Sequence, residues 1–176
     1  MKSIALVGKA KSGKSTAAQF LVENYGYTRL SFAKALKDCA SLIWGPLDQE
    51  DKDAVIQTTP PRTLREIYFL LGTEVVRNID ANAWVNIVNR VIDNSPTKLY
   101  VVDDVRFPNE LETLRVRGFI SIRLSRPDEA VIDHKSETLM DEFITDFRVT
   151  NDGSFDSLYE EVLKCLQSTT QTSFKQ

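Results

Sequence analysis

Residues 8–15 read Gly-Lys-Ala-Lys-Ser-Gly-Lys-Ser and follow Ser3-Ile-Ala-Leu-Val7, a short run that is almost continuously apolar. An apolar run without alternation is what a strand buried on both faces of a parallel sheet carries. Beyond the glycines, residues 15–24 place Ala17, Ala18, Phe20, Leu21 and Val22 at helical spacing, and the pattern stops before Gly26. Strand, glycine loop and helix in that order are the context that turns Gly8-x-x-x-x-Gly13-Lys14-Ser15 from a chance match into a phosphate loop. Glycines let successive backbone N–H groups turn inward around phosphate oxygens, and the helix start aims its positive dipole at the same place.

On this reading Gly8, Lys11, Ser12, Gly13, Lys14, Ser15 and Thr16 surround the phosphates of a nucleotide, and the loop alone leaves a GTPase, an ATPase motor and a small-molecule kinase open. Lys14 reaches the β- and γ-phosphates, and the Ser15 hydroxyl ligates Mg²⁺. Lys9 and Lys11 read equally well as solvated loop charge.

The rest of the chain alternates strand and helix signals. A strand is expected over 27–32 and a helix over 33–44, ended by Gly45-Pro46. Residues 46–61 are polar, end in Thr58-Thr-Pro-Pro61 and read as a mobile connector. Leu64, Ile67, Tyr68, Leu71 and Val75 predict one amphipathic helix. Further helices are expected over 83–92, 111–117 and 155–166, and strands over 99–102, 119–124 and 147–150. The charged stretch 125–141 reads as a flap over a site, with the sole histidine, His134, on its surface; the polar tail from Gln167 is expected to fray. This alternation predicts an α/β fold of the P-loop NTPase kind, a parallel five-stranded sheet sandwiched by helices, with function on the loops after the strands' carboxyl ends.

Composition narrows the partners. The chain has 176 residues, enough for one full core, and a formal net charge of −3, which supplies no broad basic field for polymeric nucleic acid. Cys39 and Cys165 lack metal-ligand spacing and read as reduced, buried thiols of a cytoplasmic protein. No apolar run reaches the length of a signal peptide core or a membrane span, so a soluble protein with no membrane partner is expected.

Two further segments carry charge that needs an explanation. In Asp103-Asp104-Val-Arg106-Phe-Pro-Asn-Glu110, a carboxylate at the strand's end can hold Mg²⁺ as a Walker B aspartate does, and Asp104 is given that role. If the strand persists, Asp104 and Arg106 share a face and Asp103 takes the other. Arg106 beside Asp104 makes sense if a second phosphate must be held near the first, because two anionic substrates repel unless cations intervene; a local ion pair is the plain alternative. After Pro61, Arg62 and Arg65 stand three apart at a helix start, where the dipole disfavours cations; an anion between them would relieve that cost, and a solvated arginine face is the plain alternative. Gly72 weakens its helix and is easier to understand if something packs closely on it.

Taken together these residues resemble the deoxynucleoside monophosphate kinases of tailed bacteriophages, a branch of the P-loop nucleoside monophosphate kinases. The matching segments are GKAKSGKST, SFAKALKD, RTLREIYFLLGTEVVRN with the Trp84 segment, VVDDVRFPNE, LSRP with the later HKSE, and VTNDGS. The resemblance implies a single kinase domain over 1–167 ahead of a polar tail at 168–176, with an acceptor-binding helical region at about 33–93 and a lid at about 125–141. It implies ATP-dependent phosphorylation of deoxynucleoside 5′-monophosphates to diphosphates with Mg²⁺, in the host cytoplasm for a phage-encoded chain, and is compatible with a homodimer. Lys37, Arg65, Gly72, Thr73, Trp84, Asp104, Arg106 and Glu110 match positions lining the acceptor site, with Trp84 readable as base-stacking or core and Lys37 and Glu110 as plain surface charges. Arg126 matches the lid arginine that closes on ATP and the transferring phosphoryl group, and Asn151, Asp152 and Gly153 match the loop beside the adenine. The catalytic set is then Lys14, Arg126, Asp104 and Arg106. The alternatives are another small-molecule P-loop kinase, acting on phosphomevalonate, dephospho-coenzyme A or a sugar acid, and a nucleotide-dependent binding module. Against the last, the sequence carries no Asn-Lys-x-Asp motif, and Asp104 is not followed by x-x-Gly.

Overall fold

The computed structural model describes residues 1–47, 51–127 and 142–171. The chain divides into two compact units, Met1–Leu30 with Ser95–Gln176, and Ser31–Asn94.

The first unit holds a five-stranded sheet built from β1 (Ile4–Val7), β2 (Thr28–Leu30), β5 (Tyr100–Val102), β6 (Ile120–Ser125) and β7 (Phe147–Thr150), in the order β2-β5-β1-β6-β7. Every pairing is parallel: Ile4 lies opposite Val101 and Ile120, Arg29 opposite Val101, and Ile122 opposite Phe147. The expected parallel, helix-flanked sheet is therefore the observed one. Helices α1 (Lys14–Tyr25), α6 (Pro108–Val116) and α7 (Phe155–Gln171) flank it. Alternate strand residues explain the packing: Ile4, Leu6, Ile120, Ile122 and Leu124 meet Ala17, Ala18, Leu21, Leu158, Val162 and Leu166 in one buried cluster. Small alanines at the contact face of α1 let the helix lie close to the strands.

On the other face of β6 the buried Ser121 takes a polar partner. Asp146 accepts hydrogen bonds from the Ser121 amide (2.7 Å) and hydroxyl (2.6 Å), and Arg123 donates to the Phe143 carbonyl (2.8 Å). Burial pushes the Asp146 carboxyl up, but the two Ser121 donors and the Arg115 charge outweigh it and leave it below the ordinary carboxylate value. Cys165 is buried, and burial holds its thiol above the ordinary value; Cys39 is exposed, against the expectation of two buried thiols, because it falls on the outer face of its helix.

The second unit contains α2 (Phe32–Trp44), capped by the Ser31 hydroxyl accepting from the Lys34 amide, a hairpin of β3 (Val55–Ile56) and β4 (Arg62–Thr63), α3 (Leu64–Phe69), a π-helical segment (Leu70–Val76), α4 (Arg77–Ile79) and α5 (Ala83–Asp93). The hairpin replaces the connector expected over 46–61. Its strands are two residues each, too short for any alternation to register, and they pair Val55 with Thr63 and Ile56 with Arg62.

The single helix expected over 64–75 divides at Leu70. A π turn advances about five residues per hydrogen bond, so the stripe read at helical spacing drifts off the packed face, and Val75 is exposed. Gly72 sits inside this segment, where an added Cβ would lie 2.8 Å from Leu36 Cδ2 of α2; the close neighbour inferred for this glycine is Leu36.

The flap expected over 125–141, with His134, lies outside the described residues from 128 onward, as do 172–176 of the tail. No helix among the described residues is long and apolar enough to cross a membrane.

Candidate phosphate-transfer site

The loop between β1 and α1 has the backbone its sequence calls for. Gly8 has φ 151°, and a Cβ there would fall 2.2 Å from the Leu124 carbonyl oxygen; Gly13 has φ 103° and a Cβ there would fall 2.5 Å from Asn151 Nδ2. Neither position tolerates a side chain without moving backbone or a buried amide. Lys11, exposed at the loop's tip, also adopts positive φ (66°), a single left-handed residue that re-aims the main chain. Ser12 is fully buried, and its amide donates to the Lys9 carbonyl (3.3 Å).

The Lys14 ammonium stays within this loop, donating to the carbonyls of Gly8 and Lys9 at 2.6 Å each and lying 3.4 Å from Ser12 Oγ. Thr16 is half-buried one turn into α1.

Ser15 is met by Asp103. The Ser15 hydroxyl donates to Asp103 Oδ2 at 2.9 Å, and Asp103 is only 6% exposed. β5 ends at Val102, so Asp103 and Asp104 follow the strand rather than continue it, and the shared face expected for Asp104 and Arg106 does not form. Asp103 is thus the aspartate that meets Ser15, and Asp104, half-buried, stands one residue further on.

A third side chain completes this group. Arg29 of β2 grips both oxygens of Asp103, Nε to Oδ1 at 2.9 Å and a terminal nitrogen to Oδ2 at 2.5 Å, and the same nitrogen lies 3.3 Å from Ser15 Oγ. Nothing in the spacing of Arg29 and Asp103 announces this contact. Only the pairing of β2 with β5 brings them together.

Asn151 is 5% exposed, and its side-chain amide donates to the Ser12 carbonyl at 3.1 Å. A residue expected beside the adenine is therefore committed to the phosphate loop; Asp152 and Gly153 after it are exposed. Glu110, readable as a helix-surface charge, is 2% exposed, and its Oε2 accepts from the amides of Arg106 (2.8 Å) and Phe107 (3.1 Å), capping α6. The Arg106 side chain is exposed at this helix start, and Arg126 is exposed just after β6.

In the second unit Arg65 stands in the first turn of α3. It pairs with Asp53 (Nε to Oδ1, 3.1 Å), and the side-chain hydrogen bond between them raises Arg65 and lowers Asp53 from their ordinary values. Arg62 belongs to β4 and lies 3.8 Å from Glu66, so the two arginines form no stripe on a helix. Glu66 itself accepts from the Thr63 amide in a capping box. Carboxylates thus already answer the electrostatic cost that the sequence alone assigned to an anion. Trp84 is 6% exposed, and its indole N–H donates to the Gly72 carbonyl at 3.0 Å, which is the behaviour of a core tryptophan with its polar handle satisfied. Lys37 on α2 and Thr73 beside Gly72 are half-buried.

Three comparisons bear on this arrangement. The family model described as deoxynucleotide monophosphate kinase matches residues 47–162. A putative deoxynucleotide monophosphate kinase of Acanthamoeba polyphaga mimivirus is 27% identical over 97% of this chain and 99% of the relative. The deoxynucleotide monophosphate kinase of Enterobacteria phage T4 is 23% identical over 95% and 99%. Among solved structures, shikimate kinase from Aquifex aeolicus superposes with a TM-score of 0.57 at 14% identity, covering 96% of this chain and 98% of that one, a likeness of fold.

Proposed function

The chain belongs to the deoxynucleotide monophosphate kinase family, and from that premise we propose that it transfers the γ-phosphate of ATP to a deoxynucleoside 5′-monophosphate, yielding the diphosphate. The observation that carries the reading is that two independent features agree. The family match begins at residue 47, beyond the phosphate loop at 8–15, whose geometry stands on its own.

The loop amides hold the donor's phosphates. Lys14 exchanges the carbonyls of Gly8 and Lys9 for β- and γ-phosphate oxygens, and Arg126 meets the transferring group from the other side. Ser15 and Asp103 are the pair for Mg²⁺: a hydroxyl and a carboxylate 2.9 Å apart are hard oxygen donors. One or two such donors suffice for an ion that keeps phosphate and water oxygens as its remaining ligands. Bound there, Mg²⁺ would neutralise charge on the phosphates, while the chain's own residues position the groups and Lys14 and Arg126 add positive charge beside the transferring group. Asn151 braces the loop through Ser12.

On the acceptor side, Arg106 and Arg65 take the monophosphate's oxygens and align it in line with the donor. Arg65 gives up an exposed Asp53 to do so, an exchange that costs little because water screens a pair this exposed. Glu110 holds the main chain that presents Arg106. Asp104, Lys37 and Thr73 contact the acceptor nucleotide, while Trp84 anchors Gly72 and thereby sets Thr73. No covalent intermediate or general base is required, since an acceptor phosphate is already ionised and such transfers depend on positioning and electrostatics. Both substrates are small nucleotides, and for a phage-encoded chain the reaction would run in the host cytoplasm.

The test is ADP release by the purified chain with ATP and Mg²⁺ against dGMP, dTMP and dCMP, with shikimate and gluconate as controls. Turnover with at least one deoxynucleotide and with neither control is expected. Turnover confined to a sugar acid, or ADP release indifferent to any acceptor, refutes the reading.

A further inference from the structure

Asp103 is buried, and its carboxylate is held by donors that a metal ion would rival. Oδ1 accepts from Arg29 Nε, and Oδ2 accepts from an Arg29 terminal nitrogen and from Ser15 Oγ. The two ends of the ion pair differ in one respect: the Asp103 side chain is 4% exposed, whereas that of Arg29 is 42% exposed. The carboxylate cannot leave, but the guanidinium can swing toward water. β2 fixes the root of Arg29 beside β5, two residues before Asp103 in the register, which keeps the side chain within reach of the same oxygens.

From this geometry we propose that Arg29 is an intramolecular stand-in for the divalent cation, a positioning residue that keeps Asp103 aimed at Ser15 and yields a carboxylate oxygen as the nucleotide's metal is taken up. The proposal rests on the reading of Ser15 and Asp103 as the metal pair. Its consequence is a threshold. A bare divalent ion must compete with a bidentate guanidinium already in place, so the protein alone binds metal weakly. Metal delivered with a nucleotide brings phosphate oxygens as further ligands and overcomes that competitor. A purely structural ion pair makes the opposite statement, since loss of Arg29 would then damage the fold and leave metal affinity where it was.

The difference is measured with Mn²⁺ alone, titrated by electron paramagnetic resonance into the full chain without nucleotide, and again with ADP. Arg29→Gln, which removes the charge and keeps a polar head, is expected to bind bare Mn²⁺ about tenfold more tightly than the parent, a factor of ten being ~1.4 kcal/mol. The gain shrinks when ADP is present. Arg29→Lys, a cation limited to point contact, falls between the two and keeps the experiment decisive should Arg29→Gln not fold. Bare Mn²⁺ binding that is unchanged or weaker in the folded Arg29 variants overturns the proposal. Asp103→Asn separates the underlying reading: if it binds Mn²⁺ as the parent does, the metal pair itself is wrong, whereas lost binding there with unchanged Arg29 variants sinks only the role of Arg29.

Discussion

Asn151→Ala decides whether this buried amide serves the loop or the base. The side chain is 5% exposed, donates to the Ser12 carbonyl at 3.1 Å and lies where a Cβ on Gly13 would be. Truncation removes the amide donor from a carbonyl in a fully buried residue, a change worth about 1–3 kcal/mol. For a chain of this size that lowers the melting temperature by roughly 2–12 °C, at about 2–4 °C per kcal/mol. If Ser12 and Gly13 carry the main chain that cradles phosphate, as proposed, affinity for inorganic tripolyphosphate should fall in step with affinity for ADP. Calorimetric titration of parent and variant with both ligands, alongside thermal melts, measures the two losses separately. A variant that melts like the parent, holds tripolyphosphate as well and loses only ADP would show that Asn151 contacts the adenine, and the bracing argument would fail.

Four other outcomes are expected. Lys14→Ala lowers kcat at least about a hundredfold, the scale of losing one aimed cation at a transferring phosphoryl group, while circular dichroism remains that of the parent. Arg65→Ala raises KM for the monophosphate by about 10–100-fold, the worth of a charge-assisted hydrogen bond, with ATP binding unaltered; a collapse of ATP affinity instead would remove Arg65 from the acceptor's phosphate. Trp84→Phe, which keeps the ring but not the donor to Gly72, costs about 1–2 kcal/mol in urea titration, whereas a base-stacking role would leave stability alone and move KM. Asp146→Asn removes a carboxylate held below its ordinary value, so the stability gap between parent and variant is full at neutral pH and closes as pH falls through and below the usual carboxylate range.

The phosphate loop is legible because glycine spacing encodes a backbone path directly: Gly8 and Gly13 stand where only glycine fits. The sheet is legible because unbroken apolar runs such as Ile4–Val7 have few other uses. Legibility fails where one residue of register decides the chemistry. Asp103 and Asp104 are neighbours of the same type, and which of them meets Ser15 depends on where β5 stops, a matter of pairing with β1 and β2 rather than of local pattern. Arg29 escapes notice for the same reason, since its partner lies 74 residues away. The π-helical turn at Leu70 leaves no mark because spacing of three and four fits an α-helix equally well until exposure at Val75 betrays the slip. Trp84 and Glu110 stand out in the sequence as positions that matter, but the reason differs: both reach main-chain atoms of their own unit.

Glu110 has a bearing on how substitution data for this enzyme will read. It grips the amides of Arg106 and Phe107 from inside the protein, so a lesion there slackens the peptide on which the Arg106 guanidinium is mounted. A position-by-position activity screen would score Glu110 alongside genuine nucleotide contacts, although the carboxylate faces inward. Restoring activity by a second change that stiffens the 106–108 turn, with Glu110 still absent, would tell a mount from a hand.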